Sequence, residues 1–377
     1  MTPFPSATTA EALRQALAAG APITVLDIRT AADRAEWGIP GSLHLEAYDA
    51  LQRGDPAALD AAELPPGRPV VVVCRAGVVA RQAALQLGRR GHAASYLAGG
   101  MRAWSQAWNH ATVEGLAEET SVIQVRRTGK GCLSYLVGSR GVAAVIDPSA
   151  HPAVYLRLAE EQGWSIRAVL DTHVHADHVS RGQELAERTG ASLLLPANAR
   201  VHHASERLRE GDRVEVGAVT LRVMDTPGHT PESVSYRLDD AALFTGDTLF
   251  LGGVGRPDLE ASGDQAAGRA RLLHGSLERI LELPGDTLVL PGHVDRPVSF
   301  DGRPVAAALS TVRRDVDALT RWFRGAPGEA EGFVRWLLGR IPATPPNHHE
   351  IVRLNQSVAA EADLEALEAG ANRCSIS

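Results

Sequence analysis

The sequence predicts an α/β protein in two units: a parallel-sheet domain first, then a unit of paired strands that ends in helices. Three observations predict it. Short apolar strands alternate with helical stretches over residues 1–109, the pattern of a parallel sheet. From Ser121 the pattern changes to closely spaced strands. Within that second unit, Asp171-Thr172-His173-Val174-His175-Ala176-Asp177-His178 gathers three imidazoles and a carboxylate just after an apolar strand.

The totals agree with a globular protein. The chain has 377 residues, 44% hydrophobic and 22% charged, enough for two or three domains with large cores. A net charge of -7 and the lack of a Lys/Arg run argue against a nucleic-acid partner. No apolar run approaches the ~20 residues of a membrane span. Residues 1–20 contain Glu11 and no basic segment ahead of an apolar one, so neither a membrane partner nor a signal peptide is expected. The three cysteines, Cys74, Cys132 and Cys374, are odd in number and far apart. That suits a reducing cytoplasm better than a disulfide framework.

In the first unit, residues 9–19 read as a helix with Thr9 as cap candidate and Gly20 as its end. Residues 23–26 are a buried-type strand leading to Asp27-Ile28-Arg29, and Glu36 to Gly41 forms a loop and turn. Residues 69–73 are a wholly apolar strand that runs into Cys74-Arg75-Ala76-Gly77 and a helix to about Gly91. Residues 94–97 are a further strand, followed by Gly99-Gly100-Met101-Arg102-Ala103-Trp104. Backbone N–H groups should converge where the Cys74 loop enters its helix, which favours anions. A thiolate, or a sulfur-loaded form of it, is stabilised in such a place; the bland alternative is a small buried cysteine.

Asp27-x-Arg29, Ile39-Pro40-Gly41, the Cys74 loop and Gly99-Gly100-x-x-Ala103-Trp104 together resemble a single rhodanese (sulfurtransferase) domain over about residues 8–108. The resemblance implies that Cys74 accepts a sulfane sulfur, from a donor such as thiosulfate, with Arg75 and Gly77 at the substrate. Ala76 and Val79 depart from the family, which often has Ser and a basic residue there. A Cys-x5-Arg phosphatase loop is excluded because position 80 is Ala.

Residues 110–120 read as a polar linker, and 121–377 as the second unit. Strands are expected at 122–125, 132–137 and 142–146, a helix at 153–162, a strand at 165–170 and a helix at 180–189. Strands at 219–224, 241–245 and 287–290 each run into a Gly and then a ligand-type residue: His229, Asp247 and His293. Glycine lets the backbone turn tightly beside a crowded site. Four strand ends thus feed one metal centre, with imidazole and carboxylate as ligands for zinc, iron or manganese. Val305 through Phe323 keep helical spacing, Trp336 to Leu338 mark another helix, and Pro345-Pro346-Asn347 opens a third. The tail from Ala359 to Cys374 suggests no role.

His173, His175, Asp177, His178, His229, Asp247 and His293 resemble the metallo-β-lactamase fold over roughly residues 121–357. That resemblance implies a four-layer αββα sandwich with the metal at one edge. Two arrangements fit. His173, His229 and Asp247 can form a face on one Fe(II) per chain, leaving positions for a sulfur substrate and O2. Alternatively, Asp247 bridges two zinc ions, with His175, Asp177, His178 and His293 completing the pair.

Tyr135 after Cys132, the histidine loop and Gly253-Val254-Gly255-Arg256-Pro257-Asp258-Leu259 resemble the persulfide dioxygenase branch. The implied function is iron-dependent oxidation by O2 of a low-molecular-weight thiol persulfide, such as that of glutathione, to sulfite, joined to sulfur transfer through Cys74. Arg256 is carried over as a residue near the thiol substrate, a carboxylate binder. The enzyme alternative is a glyoxalase II-like dizinc thioester hydrolase or another metallo-hydrolase. The non-enzyme alternative is a persulfide-sensing or docking protein. A homodimer is compatible with all three.

Overall fold

The computed structural model describes residues 5–116, 119–326, 328–345, 347–357 and 363–377. The first unit is a five-stranded, wholly parallel sheet in the order Ala7–Thr8, Ala94–Leu97, Val70–Val73, Thr24–Asp27, Leu43–His44. Val70–Val73 is buried along its whole length, as expected of a parallel strand covered on both faces. Thr9 caps the helix Ala10–Ala18 by accepting from the Ala12 amide, which satisfies one of the free N–H groups of the first turn. The helix Val78–Arg89 packs Val79, Ala80, Ala83, Ala84 and Leu87 onto the sheet.

The second unit is a sandwich of two sheets. A seven-stranded sheet runs Glu206–Leu208, Ser192–Pro196, Ser165–Leu170, Val142–Ile146, Leu133–Ser139, Ser121–Arg126, Asn109–Val113. A six-stranded sheet runs Arg213–Val216, Val219–Asp225, Val234–Leu238, Ala242–Gly246, Leu288–Pro291, Ala307–Ala308. Between them lies an apolar layer in which the Tyr135 and Phe244 rings meet edge-on, their centroids 4.9 Å apart. Helices cover the outer faces: Pro152–Glu161 and Gly182–Thr189 on one side, Asp264–Leu281, Leu309–Asp315 and Glu329–Leu338 on the other. This is the four-layer αββα arrangement, with C-terminal helices.

Several elements differ from expectation. The stretch read as linker begins as the strand Asn109–Val113, which pairs antiparallel with Ser121–Arg126. Its buried and exposed residues alternate, Asn109, Ala111 and Val113 inward, a five-residue signal masked by the polar residues beside it. The apolar spacing from Val305 to Phe323 predicts one helix, but Val316 is extended (φ -84, ψ 117) and divides Leu309–Asp315 from Asp317–Trp322. Val316 itself is core, so the period survives although the backbone breaks. The eighteen-residue helix Asp264–Leu281 has no counterpart in the sequence reading. Pro345-Pro346-Asn347 precedes the helix His348–Gln356; Pro346 and Ala359 lie outside the described residues.

The units pack directly on one another. Trp37 Nε1 donates to the Thr128 carbonyl at 3.0 Å, and Arg127 Nη2 donates to the Ser105 carbonyl at 2.8 Å. The chain end then returns across this junction. Glu368, fully buried, pairs with Arg127 at 2.8 Å and with Arg181 at 3.1 Å.

Candidate metal centre

The sandwich brings the histidine loop and the three later strand ends to one buried point. His173, His229 and Asp247 place one ligand atom each within 4.8 Å of one another. Asp177, His178, His293 and Cys132 form a second such group. His293 Nδ1 is 2.5 Å from Asp247 Oδ1, so the groups adjoin. All seven histidines and aspartates are buried.

The atoms left bare suit a cation. Among the described residues, His173 Nε2, His229 Nε2 and Asp247 Oδ2 have no hydrogen-bond partner, nor does His178 Nε2. Buried polar atoms are nearly always paired, and here the bare ones face one another. Burial, then the neighbouring His175, pushes the His173 imidazole well below its ordinary pKa; burial also lowers that of His229. Both rings are therefore neutral ligands. Burial works against ionisation of Asp247, but His293, His173 and His229 hold its carboxyl well below the usual range. Asp177 is likewise held down, against burial, by His293 and His178. Neutral imidazole and ionised carboxylate are the forms that bind metal.

The surrounding residues orient the rings. His229 Nδ1 donates to the Arg256 carbonyl at 2.8 Å, leaving its Nε2 lone pair toward Asp247, 3.5 Å away. Thr172 Oγ1 donates to Asp147 Oδ2 at 2.9 Å, so its oxygen accepts from His173 Nδ1–H, also at 2.9 Å. Both contacts select the tautomer with a free Nε2. Gly246 makes this packing possible. Its φ is +48, and a Cβ there would come within 2.5 Å of Thr172 Oγ1.

His175 stands apart. Its Nε2 is 3.2 Å from Asp147 Oδ1 and 3.7 Å from Asp171 Oδ1. Against burial, these acids raise its pKa well above the ordinary value. Its ring still lies 4.2 Å from those of His173 and His178, and its buried Nδ1 has no hydrogen-bond partner among the described residues, so only its Nε2 edge faces these other carboxylates.

Arg256 corrects an expectation. Its side chain is fully buried, with Nε and Nη2 clamped on Asp258 at 2.8 and 2.7 Å. The remaining donors serve the carbonyls of Pro342 (3.0 Å), Arg373 (3.2 Å) and Ala343 (3.4 Å). No donor is left for a substrate carboxylate. The residue instead ties the C-terminal segment down and presents its carbonyl to His229.

Two cysteines adjoin these ligand groups. Cys132 Sγ lies 3.3 Å from Asp177 Oδ2. Burial and Asp177 oppose its ionisation, while His178 and His293 outweigh them and bring the thiol to about 7. Cys374 is buried beside Asp247 and His293. It is placed by the strand Ser375–Ile376, which pairs with Val254–Gly255, while Asn372 Nδ2 donates to Asp177 Oδ2 at 3.0 Å. Nothing in the local pattern of Asn372-Arg373-Cys374 signals this, because the partners Asp177, Asp247 and His293 lie far away in the chain.

In the first unit Cys74 is buried at the end of Val70–Val73. The Gly77 and Ala80 amides donate to its Sγ at 3.1 and 3.4 Å. Gly77 has φ +86, and a Cβ would meet the Leu97 carbonyl at 2.9 Å, so this turn needs glycine. Arg75 is exposed, and its Nε donates to Asp33 at 2.8 Å.

Comparison with known proteins assigns both units. Residues 9–107 match the rhodanese-like domain, and residues 127–293 match the metallo-beta-lactamase superfamily. The chain is 34% identical over 202 residues to a hydroxyacylglutathione hydrolase of Methylobacillus flagellatus, covering 53% of this chain and 74% of that one. It is 30% identical over 235 residues to that of Chelativorans sp., covering 60% and 86%. With the Rhodospirillum rubrum hydroxyacylglutathione hydrolase the identity is 40% over 164 residues, 42% of this chain and 60% of the relative, so that match spans about three fifths of the relative's length. Among solved structures, ETHE1 from Myxococcus xanthus has a TM-score of 0.52 at 30% identity, covering 62% of this chain and 96% of that one. A metallo-beta-lactamase from Staphylococcus aureus has a TM-score of 0.56 at 27% identity, covering 64% and 73%. The sequence relatives overturn the expected persulfide oxidation, because their names are those of hydrolases. The chain belongs to the metallo-beta-lactamase superfamily, with a rhodanese-like domain ahead of the metallo-beta-lactamase unit.

Proposed function

We propose that the second unit is a metal-dependent hydrolase of a glutathione thioester. The observation that carries this reading is the pair of adjoining ligand groups joined at Asp247 and His293, together with relatives that are hydroxyacylglutathione hydrolases. His173, His229 and Asp247 would hold one ion, and Asp177, His178 and His293 a second beside Asp247. Metal bound there supplies Lewis-acid polarisation of the thioester carbonyl and a lowered pKa for the attacking water.

The protein's own residues prepare that chemistry. Thr172 and the Arg256 carbonyl fix two rings with their lone pairs inward. Burial keeps the carboxylates of Asp177 and Asp247 away from bulk solvent, where their fields act more strongly. Asn372 donates to Asp177 and holds that carboxylate in place. In the rhodanese-like unit, the two amides on Cys74 Sγ suit a thiolate that carries sulfur.

The test is hydrolysis of S-lactoylglutathione by the metal-loaded full chain, with metal counted per chain. Hydrolysis that needs about two ions, is lost in Asp247→Ala and is kept in Cys74→Ala supports the reading. One iron per chain, oxygen uptake and no hydrolysis would overturn it.

A further inference from the structure

A cavity of about 450 Å3 is lined by residues of both units, among them Trp37, Arg75 and Arg102 of the first and Lys130, Asp177 and Arg373 of the second. Its lining therefore includes both the loop of Cys74, through Arg75, and the metal-ligand cluster, through Asp177. The volume suits a molecule of tripeptide size.

The charges on its walls are not equivalent. Arg75 is paired with Asp33 at 2.8 Å and Arg373 with Glu36 at 2.7 Å. Arg102 reaches Asp363 at 3.4 Å and is about half exposed. Lys130 is different. It is 5% exposed, and its ammonium has no hydrogen bond or ion pair among the described residues. Its backbone is held, with the N–H donating to the Arg127 carbonyl at 2.8 Å, between Gly129 and Gly131. Nearby Arg127 is fully buried and pairs with Glu368, its Nη1 and Nη2 also donating to the Ser149 and Ser105 carbonyls. The stem of Lys130 is buried while its ammonium reaches the cavity space, and a cation held at a cavity wall without a protein partner favours an anion from outside the chain.

We propose that this cavity is a binding site for a small thiol compound bearing carboxylates, with Lys130 as its charge anchor, seated between the Cys74 loop and the metal-ligand cluster. The choice of a glutathione-like ligand rests on the thioester reading. The anion site itself rests on Lys130 and the cavity. Trp37 on the wall supplies the apolar contact, and its indole N–H is already committed to Thr128.

The probe is S-methylglutathione, which has no thioester, titrated into the metal-free full chain by calorimetry. Wild type should bind it, and added salt should weaken binding. Lys130→Met should weaken it at least tenfold, and Lys130→Arg should recover most of it. Without ligand, Lys130→Met should melt at or above the wild-type temperature, since an unpaired charge is removed. Equal binding by wild type and Lys130→Met, absence of binding to wild type, or tighter binding of inorganic thiosulfate than of S-methylglutathione would each overturn the proposal. So would a lowered melting temperature of Lys130→Met, because it would reveal a partner within the protein. Binding here needs no turnover, so S-methylglutathione bound normally by a chain that fails to hydrolyse thioesters would refute the hydrolase reading alone.

Discussion

His293 Nδ1 and Asp247 Oδ1 sit 2.5 Å apart, and this contact makes one carboxylate the border of two ligand groups. Removing Asp247 should therefore disturb both. Asp247→Ala is expected to lower metal content at each position by more than the ~10–100-fold typical of an outer-sphere residue. Elemental analysis after dialysis against a weak chelator checks this. Loss of a single equivalent, with the other retained, would contradict the shared role.

Thr172 tests whether ring orientation matters. Its hydroxyl links Asp147 to His173. Thr172→Val keeps the shape and removes the acceptor for His173 Nδ1–H. Metal affinity should fall about 10–100-fold, with little change in the circular dichroism spectrum. Unchanged affinity in a competition titration would show that packing alone sets the ring.

Arg256 acts through geometry that lysine cannot copy. Arg256→Lys keeps the charge but loses the two-pronged clamp on Asp258 and the contacts to three carbonyls. Breaking so buried a cluster should cost about 2–4 kcal/mol in urea unfolding. Retained stability with a raised KM would instead restore the substrate-binding role first expected of it.

Glu368 should govern the acid limit of the fold. Burial works against its ionisation, but Arg127 and Arg181 hold its carboxyl at about 2. The folded value lies below the unfolded one of about 4.3. The contribution is therefore complete above pH ~4.3 and disappears as pH falls toward 2. Glu368→Gln should cost about 3–5 kcal/mol at neutral pH, and the gap to wild type should narrow on acidification below pH ~4.3. A gap independent of pH in that window would show that the carboxylate charge is not what counts.

Much of this molecule is legible in short stretches. The strand-then-loop pattern at 165–178, and the Gly-ligand pairs at His229, Asp247 and His293, locate the metal centre because a strand end with glycine is a local feature. The Cys74 loop is legible for the same reason: its amides and its glycine lie within a few residues of the thiol. Val305 to Phe323 shows the limit, since apolar spacing marks burial but not whether the backbone stays helical through Val316.

The sequence by itself determined which residue types could hold metal, which thiol sits at a helix entry, and that the chain is α/β in two units. Only the tertiary structure decided where those side chains point. It turned the Nε2 edge of His175 toward Asp147, closed Arg256 over the chain end, brought Cys374 beside Asp247, and left the Lys130 ammonium facing a cavity lined by both units. Each of these outcomes depends on partners far away in the chain, and periodicity and spacing report only on neighbours.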